Sequence, residues 1–178
     1  MREVGTQKLE TERLVLRRFK QTDAQELVDG FISQHEFLYY TNKKPINLEE
    51  EKLSLKNIDE KYKDKNYYNW LITLKDTNKI IGAVNFHVNL RNDSVMFNYA
   101  IDNRYTGNGY MTEALNCVKK FAFNDMCVHR FEGGCAEKNI ASRRVMEKCG
   151  LEKEGVLRDY IKLVDGYHNM IMFAKINQ

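Results

Sequence analysis

At 178 residues, 43% hydrophobic and 30% charged, the chain has the make-up of one globular domain over residues 1–178, which argues against a disordered chain and leaves too little length for two full domains. Its formal net charge of +3, with lysines and acids intermixed, gives no electrostatic case for nucleic acid. The longest uncharged run, Ile80 to Leu90, falls short of the ~18 residues a membrane span needs, and the chain does not open on an apolar signal core.

Glu12 to Phe19 alternates as a first strand, with Leu14 and Leu16 on one face. Thr22 or Asp23 caps a predicted helix through about Ser33 that presents Ala24, Leu27, Val28 and Phe31. His35 to Tyr40 is short, aromatic and ambiguous. Asn47 opens a charged helix from Leu48 to about Lys63, with Leu53, Leu55, Ile58 and Tyr62 as its apolar stripe. Its Glu49-Glu50-Glu51 run suits a helix N-terminus electrostatically. Tyr67 to Leu74 and Lys79 to Asn89 read as antiparallel strands joined at Lys75 to Asn78.

Ser94 to Ile101 is uncharged and rich in aromatic and β-branched residues, as a mostly buried strand should be. Asp, Asn and Gly break that pattern from Asp102 to Asn108. A helix follows, because Met111, Ala114, Leu115, Val118, Phe121 and Ala122 recur at helical spacing. Gly107 and Gly109 permit positive φ and close approach of a ligand to backbone N–H groups at a helix start, which favours an anion. Two glycines also simply turn a chain, and a GxG is a weak motif alone. There is no GxxxxGK[ST] run, and Thr112 stands where a dinucleotide fingerprint needs its third glycine, so a nucleotide-dependent oxidoreductase is a poor reading.

His129 to Ala136 is the next strand, Asn139 to Lys148 a short helix closed by Gly150, and Glu152 to Val164 with Tyr167 to Ile176 a closing hairpin. Cys117, Cys127, Cys135 and Cys149 show no CxxC spacing, and His35, His87, His129 and His168 form no ligand pattern. Four free thiols in a reducing cytoplasm, and no metal, are therefore expected.

I-D-x-x-Y-x-G-x-G-Y-x-T-E-A-L, from Ile101 to Leu115, resembles the acetyl-CoA loop of the GNAT superfamily of N-acetyltransferases, in its RimJ/RimL-like branch. Thr11 to Arg17, Asn139 to Ser142, Glu147 to Leu151, Arg158 to Tyr160 and Asp165-Gly166 resemble further segments of that branch in the same order. The flanks align Thr106, Gly109 and Met111 with the loop's Q/R, glycine and G/A positions, so the sequence departs from the pattern at Thr106 and Met111. A by-eye alternative reads Arg104-x-x-Gly107-x-Gly109 instead.

The resemblance implies an α/β fold: a mixed, mainly antiparallel sheet of six or seven strands, about four helices, and two splayed parallel central strands. It implies acetyl-CoA as co-substrate, with the pantetheine arm along the backbone of Tyr99, Ala100 and Ile101. The pyrophosphate would meet the N–H groups of Gly107, Asn108, Gly109, Tyr110, Met111 and Thr112, and Asn139 would border the cofactor. The first two helices would line the acceptor entrance. A cytoplasmic homodimer is also implied by resemblance.

Acetyl transfer to an amine needs a neutral amine, donors for the developing oxyanion and a proton source for the thiolate. Many superfamily members have a tyrosine seven residues after the motif's asparagine, but here that position is Met146. Ser142, three residues after Asn139, is the replacement expected in this branch. It is equally a first-turn helix residue beside an Asn139 N-cap. For the base, Glu132 shares a strand face with Gly134, where some relatives carry glutamate, and Glu113 lies in the loop motif but has an equal reading as a surface ion pair. Asp159 and Tyr160 border the expected acceptor entrance, and a water relay also serves. The expected activity is acetylation of a primary amine, on a ribosomal or other protein N-terminus or on a small molecule, by direct attack in a ternary complex. The alternative is a non-catalytic acyl-CoA sensor. A cationic acceptor would prefer an acidic entrance, which Glu49 to Glu51 supply if they face it.

Overall fold

The structure, a computed structural model, describes residues 1–177. Eight strands form one sheet in the order β1-β2-β3-β4-β5-β6-β8-β7, and five α-helices flank it among the described residues. The strands are β1 (Leu9–Glu10), β2 (Leu14–Arg17), β3 (Tyr68–Leu74), β4 (Ile80–Asn89), β5 (Ser94–Ile101), β6 (Arg130–Ala136), β7 (Glu152–Leu163) and β8 (Gly166–Ile176). The helices are α1 (Ala24–Val28), α2 (His35–Thr41), α3 (Leu48–Lys61), α4 (Tyr110–Asn124) and α5 (Ile140–Lys148). The mixed, mainly antiparallel class matches expectation, with one strand and one helix more than counted. The additions are the two-residue β1, paired with β2 at the sheet edge, and α2, which settles the ambiguous His35 segment as helix.

The central strands are covered on both faces and carry apolar residues on each, whereas the edge strand β7 is mostly exposed. On one face Leu14, Trp70, Phe86, Phe97 and Phe131 pack against α4, whose buried residues are the six expected from helical spacing. On the other face Leu71, Ile80, Ala83 and Ala100 meet Ala24 and Leu27 of α1 and Leu55 of α3. The predicted long first helix stops at Val28. Gly30 leaves the helix there, and a Cβ on it would lie 2.7 Å from the Glu26 carbonyl oxygen. Phe31 still reaches the core from a short 3-10 turn beyond it.

α3 begins where Asn47 Oδ1 accepts the Glu50 N–H (3.0 Å) while the Asn47 N–H donates to the Glu50 carboxylate (2.8 Å). Its stripe differs from the reading by periodicity. Leu53 is 61% exposed, and the inward positions are Leu48, Glu51, Leu55, Ile58 and Tyr62. A glutamate thus stands one turn before Leu55, where the pattern calls for an apolar side chain.

β5 and β6 are parallel neighbours joined through α4, as a crossover requires. They pair only over Ser94–Met96 against Arg130–Glu132. From Phe97 to Ile101, β5 pairs with β4 alone, so half of its backbone groups face an opening toward β6. The splay expected between these strands is present.

Candidate active site

Three structural parts converge where β5 ends. The first is the turn into α4. Gly107 (φ +81°) and Gly109 (φ +79°) are both left-handed, and Gly109 is the helix N-cap with no side chain capping it. The first helical backbone bond runs from the Glu113 N–H to the Gly109 carbonyl (3.0 Å). Among the described residues, no protein acceptor takes the N–H groups of residues 107 to 112. Clustered unpaired donors at the positive end of a four-turn helix make an anion cradle. Met111 turns its side chain into the core, so its bulk does not crowd the cradle while its N–H remains in the first turn.

The cradle is braced from β2 and from its own approach. Arg13 donates from Nε to Glu113 (2.7 Å) and from Nη1 to the Asn108 carbonyl (3.1 Å), and its guanidinium lies 4.4 Å from the Tyr110 ring centroid. The Glu113 carboxylate also accepts from Thr11 Oγ1 (2.6 Å) and the Arg13 N–H (2.9 Å). Burial would raise its pKa, but these bonds outweigh burial and lower it. Glu113 therefore sits as a strut between β2 and the loop, the ion-paired arrangement that was its equal reading, here with Arg13. The Thr11-x-Arg13 brace was present in the opening motif but had no sequence signal linking it to the loop.

Asp102, 0% exposed, holds the other side. Its carboxylate accepts the Arg104 N–H (2.9 Å), Arg104 Nε (2.9 Å) and Nη2 (2.5 Å), and Gln34 Nε2 (2.9 Å). Burial opposes ionisation here, yet the bonds from Arg104 and Gln34 win and hold the pKa at about 2, below its ordinary 3.8. A depressed carboxylate adds stability above pH ~4 that is lost as pH falls toward ~2. Asp102→Asn should therefore lower unfolding stability at pH 7 by roughly 2 kcal/mol. Urea midpoints of the two proteins should converge below pH 4. A gap independent of pH would assign the effect to packing.

The second part is a pair of hydroxyls at the splay. Asn139 is the N-cap of α5, its Oδ1 accepting the Ser142 N–H (3.0 Å). Tyr99 reaches across from β5 and places its hydroxyl 2.8 Å from Ser142 Oγ and 3.0 Å from the Ser142 carbonyl. Its ring stacks on Phe97 at 6.0 Å. Burial pushes the Tyr99 phenol far above its usual range, outweighing the Ser142 contact, so the phenol keeps its proton. The sequence reading gave Tyr99 only a backbone role. The alternation of Val95, Phe97 and Tyr99 was the one signal that its side chain faces α5.

Glu132 lies apart from these hydroxyls, at the closed end of the splay opposite Met96, where it is paired with Arg130 (2.7 Å). Arg130 is shared with Glu154 of β7. Asp159 lines an open cleft of about 350 Å³ with Glu137, Lys138, Tyr167, His168 and Asn169, and Tyr160 is exposed. Met146 is fully buried in the core. Cys135 and Cys149 are buried free thiols, Cys117 is half-buried and Cys127 exposed.

The third part is a cavity of about 260 Å³ on the opposite face of β5, between the sheet and the α1–α3 layer. Phe19, Phe31, Phe37 and Ile58 line its apolar side, and Asn98, Tyr99 and Ala100 of β5 form its floor. A binding groove for an anionic, extended ligand thus meets a compact pocket at a strand with free backbone groups.

A sequence model described as an acetyltransferase (GNAT) domain matches residues 13–152. The probable N-acetyltransferase YjcK of Bacillus subtilis (strain 168) is 32% identical over 117 residues, covering 65% of this chain and 64% of that protein. The [ribosomal protein uS5]-alanine N-acetyltransferase of Escherichia coli (strain K12) is 28% identical over 167 residues, covering 89% and 84%. Among solved structures, RimL, a ribosomal L7/L12 alpha-N-protein acetyltransferase in complex with coenzyme A, superposes with a TM-score of 0.84 at 19% identity, covering 96% and 98%.

Proposed function

The chain belongs to the GNAT acetyltransferase family, and from that premise we propose that it transfers the acetyl group of acetyl-CoA to a primary amine, on a protein N-terminus or a small molecule, by direct attack in a ternary complex. The observation that carries this reading is the meeting of the N–H cradle at residues 107 to 112 with the open edge of β5 at Phe97–Ile101. The cradle suits the pyrophosphate, and the free strand edge suits the amide groups of an extended pantetheine arm. Coenzyme A bound to the superposable RimL supports that fit. Acetyl-CoA supplies the activated acetyl group; the chain supplies position and protons.

In this reading Tyr99, Ala100 and Ile101 align the thioester, and Asn139 orders the first turn of α5 so that Ser142 Oγ and the Tyr99 hydroxyl face it. A phenol held neutral by burial is suited to donate through Ser142 to the leaving thiolate. The fold works as one acetyltransferase domain over residues 1–178, as a cytoplasmic homodimer by resemblance, which sedimentation of the pure protein checks. Among the described residues no helix is long and apolar enough to cross a membrane.

Thiol release measured while both acetyl-CoA and a panel of primary amines are varied tests the reaction and its order. A ternary complex gives intersecting double-reciprocal lines. Parallel lines would indicate an acetyl-enzyme. Tight acetyl-CoA binding with no release on any amine would favour the sensor.

A further inference from the structure

Of the three glutamates that open α3, two are engaged at the surface: Glu49 with Lys52 (2.7 Å) and Glu50 in the Asn47 cap (2.8 Å). Glu51 is turned inward, 6% exposed, and lines the 260 Å³ cavity. Among the described residues its carboxylate accepts no hydrogen bond and forms no ion pair. Burial raises its pKa, with Lys43 opposing. The carboxylate oxygens are not sealed in the core but face the open cavity, and a carboxylate free of protein partners there, at a position the helical pattern reserves for an apolar residue, points to a ligand that completes it. The other charged side chains lining the cavity, Lys43 and Lys44, belong to the exposed segment between α2 and α3. Asn69, Asn85 and Asn98 add amides on the sheet side, and Phe19, Phe31, Phe37 and Ile58 supply the apolar wall.

We propose that Glu51 binds the ammonium group of the acceptor and takes up its proton, and that the acceptor is a primary amine carried on a compact apolar body seated among Phe19, Phe31 and Phe37. This rests on the acetyl-transfer reading of the same site. The steps balance. The ammonium gives one proton to Glu51, and the neutral amine forms a C–N bond to the thioester carbonyl carbon. The C–S bond then breaks, and the sulfur leaves as thiolate. The thiolate takes a proton from the Ser142–Tyr99 pair, which is restored by the proton the new amide nitrogen sheds. Glu51 returns its proton to solvent. The cavity floor at Asn98–Ala100 is the strand along which the thioester would lie, so an acceptor in the cavity would approach it from the face of β5 opposite the Ser142–Tyr99 pair. An apolar chamber also accounts for a base with an elevated pKa, since a proton acceptor nearer neutrality is better matched to an ammonium.

The probes are 2-phenylethylamine, its neutral isostere 2-phenylethanol, and a peptide amide that begins with phenylalanine. Calorimetry on the protein saturated with CoA, which lacks the transferable acetyl group, should show the amine bound at least ~10-fold tighter than the alcohol, and Glu51→Gln should erase that preference. In turnover, Glu51→Gln should lower kcat/KM for the amine ~100-fold at pH 7 and abolish the acidic limb of its pH profile. Its acetyl-CoA affinity and unfolding midpoint should be held or raised, because a buried charge is removed. Glu50→Gln serves as the surface control. If the peptide is acetylated and the free amine is not, the source is a polypeptide N-terminus; the reverse assigns a small molecule, and Glu51 matters in both. Amine preference retained in Glu51→Gln, or an unchanged pH profile, would overturn the proposal. Amine binding that depends on Glu51 with no turnover would refute the transfer reading while leaving the ammonium site standing.

Discussion

Combining Ser142→Ala with Tyr99→Phe should lower kcat ~100-fold or more while leaving acetyl-CoA affinity nearly unchanged. The magnitude is that of a positioned general acid, and the two hydroxyls are 2.8 Å apart, so either alone retains part of the donor. Neither substitution dismantles the site. Alanine keeps the 142 N–H that Asn139 caps, and phenylalanine keeps the ring stacked on Phe97. Affinity is spared because the donor acts as the thiolate develops, not in the ground state. Single-turnover and steady-state rates beside calorimetry separate the outcomes. A lowered melting temperature with undiminished kcat would reduce the pair to a structural contact between β5 and α5.

Gly109→Val should weaken acetyl-CoA binding ~10-fold to ~100-fold, equivalent to about 1–3 kcal/mol. Backbone strain is the cause rather than a clash. A Cβ at Gly109 would sit 3.6 Å from the Arg13 guanidinium, an ordinary contact, but φ +79° is a conformation a β-branched residue resists. Relaxing that strain moves the first-turn N–H groups away from the phosphate oxygens. Arg104→Ala should change affinity by only about threefold, because Arg104 is spent on Asp102 within its own turn. The reverse pattern, normal binding by Gly109→Val and a loss in Arg104→Ala, would restore the by-eye alignment of the loop. Normal binding by both would make the loop only a turn.

The turn, β5 and α4 were legible because their determinants are local: glycines at the positive-φ sites, a continuous apolar strand, and six apolar residues at helical spacing. The parallel β5–β6 pair followed from the helix between them, and the Asn139 cap from its position. α2 was missed because seven mostly aromatic residues span barely two turns, too few to establish a period. Leu53 was counted in the apolar stripe and Glu51 was not, yet the helix rotates Glu51, Leu55, Ile58 and Tyr62 to one side. The remaining site contacts join distant residues: Arg13 with Glu113, Tyr99 with Ser142, and Gln34 with Asp102. No single-sequence period encodes such pairs. Glu113 and Glu132 show the same limit from the other side, since arginines from outside the loop and from the neighbouring strand position occupy their charges.

The most direct measurement is mass spectrometry of primary amines, free and peptide-borne, after incubation with the pure protein and isotopically labelled acetyl-CoA. Labelled acetyl on the amine nitrogen, with one free thiol released per acetyl, is the predicted result. Bound acetyl-CoA with no label on any amine would contradict it.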